Sequence, residues 1–117
     1  MKNLQTTDEI IAQSESLQLY YKLILQLNKD FQRAGIDEVF NETISPSDLK
    51  TKLHDNVFHL IQNNYSEYLN LLYIIDVSEK KIKMIGGDGT VEITEQVTFL
   101  ILQREWQKVW LKDNYSK

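Results

Sequence analysis

An all-α fold, a bundle of four to five helices, is predicted by three observations. Punctuation is sparse: the 117 residues include one proline and four glycines, and three of the glycines sit together in GGDG at 86–89. A β-rich chain needs turn residues far more often, so long helices are favoured. Apolar residues recur at three- and four-residue spacing through several windows, which puts them on one side of a helix. Helix-starting patterns precede those windows, at Thr6 with Glu9, at Ser45-Pro46 and at Ser78.

The first helix starts at Thr6 or Thr7, where Thr6 and Glu9 match a capping box. Leu17, Tyr20, Tyr21, Ile24, Leu27 and Phe31 form its buried stripe, and Gly35 supplies the stop. Leu19, Leu23 and Leu25 lie off that stripe, so this helix is apolar over much of its girth and is either central or part of an interface. Residues 36–44 read as an acidic connector.

SPSD at 45–48 starts the next helix, with Ser45 as cap, Pro46 in the first turn and Asp48 near the positive end of the dipole. Leu49, Leu53, Val57, Leu60, Ile61 and Asn64 continue it. Asn63-Asn64 weakens the helix, and Ser66 is a candidate cap for a third one carrying Tyr68, Leu69, Leu72 and Ile75; one bent helix or two remain open. The last helix spans about 92–112. Phe99, Leu102, Trp106, Val109 and Trp110 share one face, Ile93, Val97, Leu100 and Ile101 the opposite one, and Arg104, Lys108 and Lys112 point to water.

Hydrophobic residues make up 42% of the chain and charged residues 26%, close to globular averages, and the length suits a single domain over 1–117 with frayed ends at 1–6 and 113–117. Cysteine is absent, which excludes disulfides, thiolate nucleophiles and cysteine-built zinc sites. The start, MKNLQTTDEI, has no apolar core of a secretory signal, and the longest apolar run, LLYII at 71–75, is far too short for a membrane span. A cytoplasmic protein without membrane contact is the expectation. A net charge of −4 argues against wrapping nucleic acid, whose affinity comes mainly from neutralising phosphates.

The most suggestive segment is DVSEKKIKMIGGDGTVEIT at 76–94. As a phosphate loop it has the wrong glycine spacing and no following lysine. As a calcium loop built on Asp88, Thr90 and Glu92 it has its glycine in the wrong place. Residues 69–85 resemble a helix-turn-helix, with Ser78 capping a second helix and Lys80, Lys81 and Lys83 facing out as candidate DNA contacts. Against this, Leu72 stands where a small residue is usual, and Asp76 replaces the glycine expected at the turn. Alternation in KIKMI and TVEIT leaves a small β-hairpin over 81–94 as the minority alternative. On balance GGDG reads as a connection.

Nothing in the sequence assembles a catalytic site, a metal site or a cofactor site. His54 and His59 diverge by about 140° on a helix, so they cannot ligate one metal together. Asp55 and His59, four apart, read as a surface pair rather than a general-base dyad. The tyrosines Tyr20, Tyr21, Tyr65, Tyr68 and Tyr73 leave open a cavity for an apolar ligand as a further alternative. The expected function is therefore non-catalytic protein–protein interaction or self-association as a homodimer. Trp106, Trp110, Leu19 and Leu23 form the candidate partner surface, with DNA binding through Lys80, Lys81 and Lys83 as the alternative.

Overall fold

The computed structural model describes residues 3–115; the fraying expected at residues 1–2 and 116–117 lies outside them. Among the described residues six helices are present, and no strand. They are α1 (Thr7–Ser16), α2 (Tyr20–Arg33), α3 (Pro46–Asn63), α4 (Tyr65–Ile75), α5 (Glu79–Lys83) and α6 (Thr90–Tyr115). The all-α class is as expected, and the helix count is six rather than four to five. Among the described residues no helix is long and apolar enough to cross a membrane.

The extra helix arises because the first window is broken in two. Thr6 caps α1 as expected, accepting from the Glu9 amide at 3.1 Å. The helix then stops at Ser16 without a glycine. Gln18 takes the left-handed conformation (φ 61), its amide bonds Glu15 O at 3.0 Å, and the Leu19 amide reaches back to Ser14 O at 2.7 Å. This is a Schellman end. A glutamine in that conformation costs about 1–2 kcal/mol, which burial of Leu19 offsets.

The break resets the phase of α2. Leu19 and Leu23 turn inward beside Ile24, Leu27 and Phe31, while Leu17 and Tyr21, expected in the stripe, face solvent. The same ending recurs twice. At Gly35 (φ 76) the Ile36 amide bonds Phe31 O at 3.0 Å, as the glycine predicts. At Asp76 (φ 70) the Val77 amide bonds Leu72 O at 3.0 Å. Each time the residue after the left-handed one is apolar.

The acidic connector is pinned rather than loose. Phe40 is buried with its ring edge-on to Phe31, centroids 5.2 Å apart. Asn28 holds the Phe40 backbone from both sides, accepting from its amide at 2.7 Å and donating to its carbonyl at 2.9 Å.

Ser45 and Pro46 start α3 as expected, and Leu49, Leu53, Val57 and Leu60 are buried. Helices α3 and α4 are separate. Asn64, not Ser66, caps α4: its side chain accepts from the Glu67 amide at 3.2 Å. Leu4 packs against the core, and α6 runs on through Asp113, which pairs with Lys22 at 3.3 Å.

Helix α6 is one uninterrupted rod that packs on α1, α2, α3 and α4. Val97, Ile101, Leu102, Trp106 and Val109 are buried, with Phe99, Leu100 and Trp110 half-buried around them. The hairpin over 81–94 does not form. Ser78 caps α5, accepting from the Lys81 amide at 3.4 Å, and TVEIT belongs to the start of α6. The side chain of Gln96 bonds both the amide and the carbonyl of Gly86, tying the GGDG connection to α6.

Candidate interaction surface

Helix α4 carries the most unusual exposed face. Its exposed positions are Tyr65, Ser66, Leu69, Asn70 and Tyr73, and none bears a charge. Tyr65 is 58% exposed, Leu69 48% and Tyr73 81%, and these three follow one another at four-residue spacing along a single ridge. Asn70 donates to Ala34 O at 3.2 Å and so turns part of its polarity inward. The Tyr65 ring rests on Tyr68, centroids 5.2 Å apart. Beside this ridge runs a groove of about 600 Å³, lined by Leu69, Tyr73, Asp76, Val77, Ile82 and Lys83.

The corner beyond α4 is built from outside the segment. Arg104 on α6 donates through Nε to Asp76 O and through Nη2 to Asp76 Oδ2, both at 3.1 Å. Arg104 was expected to face water; instead it clamps the left-handed residue that sets the angle between α4 and α5. Helix α5 has five residues, about 7.5 Å of axis, which is less than the width of a major groove. Lys80, Lys81 and Lys83 are all exposed, and the Lys81 ammonium donates to Gln103 Oε1 at 2.9 Å.

The partner surface expected from the sequence is not exposed as such. Leu19, Leu23 and Trp106 are core residues, and of the four only Trp110 is half-buried. The phase reset at Gln18 explains the two leucines; the central position of α6 explains the tryptophan. The tyrosines do not converge on one cavity either. Tyr20 donates to Ile44 O at 2.7 Å, Tyr68 is buried, and Tyr21, Tyr65 and Tyr73 project outward. Burial pushes the hydroxyls of Tyr20 and Tyr68 up to about 12. The Asp55–His59 pair is replaced by two others: His54 Nδ1 lies 3.8 Å from Asp55 Oδ1, and His59 Nδ1 lies 3.2 Å from Asn63 Nδ2. Among the described residues no three metal-ligating side chains gather.

One polar cluster was not anticipated. Asp30 on α2 and Glu105 on α6 are both fully buried, and Lys108, expected in water, is only 19% exposed at its side chain. Lys108 Nζ donates to Asp30 Oδ2 at 2.8 Å and lies 3.5 Å from Glu105 Oε1, and Gln26 Nε2 donates to Asp30 Oδ2 at 3.1 Å. Arg33 stands 3.9 Å from Asp30 Oδ1.

As a second carboxylate, Glu105 would leave both its oxygens and Asp30 Oδ1 without a donor. Protonated, it donates to Asp30 and resolves the conflict. Accordingly burial, reinforced by Asp30, pushes Glu105 up to about 10. Burial would raise Asp30 too, but hydrogen bonds from Glu105, Lys108 and Gln26 hold it below its ordinary value. The lysine ammonium fills the place between the acids, so the cluster suits joining α2 to α6 rather than chemistry on a substrate. A clue did exist in the sequence, because at about 100° per residue Asp30 falls between Leu19 and Leu23, with Gln26 next to Leu19.

Comparison with known proteins finds no matching family model, no matching curated protein and no matching solved structure.

Proposed function

We propose that this protein is a non-catalytic helical module that acts by binding protein, and that the α4 ridge with its adjoining groove is the contact surface. One observation carries the reading: in a chain with 26% charged residues, the exposed face of α4 has none and presents two tyrosines and a leucine instead. Aromatic residues are enriched and charges depleted at the centre of protein interfaces. Of the strongly perturbed ionisable groups, Glu105 and Tyr68 lie inside the core and the half-buried Tyr20 hydroxyl is bonded to Ile44 O, which weighs against an enzyme.

A photo-crosslinking residue at Tyr73, compared with one at Ala12 on the exposed side of α1, tests this in cells. A discrete crosslinked protein band from position 73 and none from position 12 is expected. No band from position 73 would overturn the reading. DNA binding receives less support, because α5 is short and Lys81 is engaged with α6. Duplex titration at low salt, where phosphate contacts are strongest, is expected to show no retention.

A further inference from the structure

The partner of the α4 ridge follows from its internal symmetry. Reading outward from Leu69, the ridge meets a tyrosine four residues away in each direction, Tyr65 and Tyr73. A surface that pairs with itself about a twofold axis must be self-complementary. In an antiparallel pairing centred on Leu69, leucine meets leucine on the axis, and Tyr65 of each copy meets Tyr73 of the other. With no charge on the ridge, no like charges are forced together there.

The ends of the ridge favour the antiparallel sense. Asp76, with its side chain 77% exposed, sits at the carboxyl end of α4. Antiparallel pairing keeps the two Asp76 carboxylates apart at opposite ends of the paired ridges, whereas parallel pairing would bring them together. Ridges at four-residue spacing also interlock readily with their own kind, at a crossing of roughly 50°.

We infer that the occupant of the α4 ridge is a second copy of this chain, docked antiparallel with Leu69 on the twofold axis. This rests on the protein-binding reading of α4 given above and names its partner. Tyr65, Leu69 and Tyr73 expose about 400 Å² per copy, so pairing hides about 800 Å², below the size of a standard stable interface. The dimer is thus reversible rather than obligate. Its entropic cost is moderated because the Tyr65 ring is already seated on Tyr68.

The absence of native cysteine makes disulfide trapping a direct test. Under mild oxidant Leu69→Cys is expected to form a linked dimer about tenfold faster than Ala12→Cys, because pairing raises the local thiol concentration. Tyr65→Cys mixed with a mass-tagged Tyr73→Cys is expected to give mainly the mixed disulfide. In the antiparallel pair two copies of position 65 lie about 12 Å apart, beyond disulfide reach.

Circular dichroism matching the wild type checks that each variant is folded. Equal rates for Leu69→Cys and Ala12→Cys overturn self-pairing. Predominant 65–65 linkage overturns the antiparallel sense. If Leu69→Cys fails while position 73 still photo-crosslinks a different protein in cells, self-pairing is wrong and the binding reading survives. If both fail, neither stands.

Discussion

Lys108 Nζ lies 2.8 Å from Asp30 Oδ2, joining residues 78 apart in the chain at a carboxylate with no solvent exposure. Removing the cation leaves the buried Asp30 charge with the distant Arg33 guanidinium, 3.9 Å away and largely exposed, as its counter-charge. Lys108→Met is therefore expected to cost about 3–5 kcal/mol. Adding Asp30→Leu to it removes that charge and should restore part of the loss, the remainder being the acceptor that Glu105 and Gln26 give up. Urea denaturation of the single and double variants measures both, and a loss under about 1 kcal/mol for Lys108→Met would contradict the pairing.

The proton on Glu105 imposes a pH dependence whose sign is opposite to the common carboxylate case. In the folded chain Glu105 titrates near 10, against an ordinary value of 4.5. Between these values the folded state holds a proton that the unfolded state has lost. Stability therefore falls as pH rises through that window, by at most about 1.4 kcal/mol per unit. Below the ordinary value both states are protonated and this penalty vanishes. Asp30, held below its ordinary 3.8, adds stability that is present above that value and is lost as pH falls through its folded value. Maximum stability is expected in mildly acidic solution. Glu105→Gln should flatten the decline between about pH 5 and about pH 9; parallel curves for the two proteins would refute the assignment.

Gln18 and Asp76 both occupy the left-handed region that glycine enters freely. Gln18→Gly is expected to stabilise by about 1 kcal/mol, because the strain is relieved at a position whose side chain is exposed. Asp76→Gly should fall within about 1 kcal/mol of the wild type, as strain relief is set against the exposed Arg104 pair at 3.1 Å. Asp76→Val, with no means of relieving strain, should destabilise by about 2 kcal/mol. Thermal melts of the three rank them, and a stabilising Asp76→Val would be incompatible with this backbone.

Phe40 anchors the connector between α2 and α3. Phe40→Ala is expected to cost about 3–5 kcal/mol through the cavity left against Phe31. Asn28→Ala leaves the Phe40 amide and carbonyl without their partner and should cost about 1–3 kcal/mol. Proteolysis within 36–44 should speed up in both variants, and an unchanged cleavage rate would show that the clasp does not order the segment.

What the sequence by itself determined was local. Thr6, Ser45 and Ser78 cap their helices because a hydroxyl needs only the amide three residues ahead. Gly35 stops α2 because its backbone alone permits the left-handed turn. The α3 stripe of Leu49, Leu53, Val57 and Leu60 is a periodicity any single helix displays. The GGDG stretch is a connection, as its spacing implied.

Only the tertiary structure decided the rest, because each of those features depends on a partner far along the chain. Gln18 and Asp76 end helices without glycine, since burial of Leu19 in one case and the Arg104 clamp in the other outweigh the strain. Leu19, Leu23 and Trp106 became core, while Tyr65, Leu69 and Tyr73 became surface, once the packing of α2 and α6 set which sides were covered. Asp30, Glu105 and Lys108 read as solvated charges one at a time. Folding α2 against α6 turns them into a buried set, because there each can satisfy another where water does not reach.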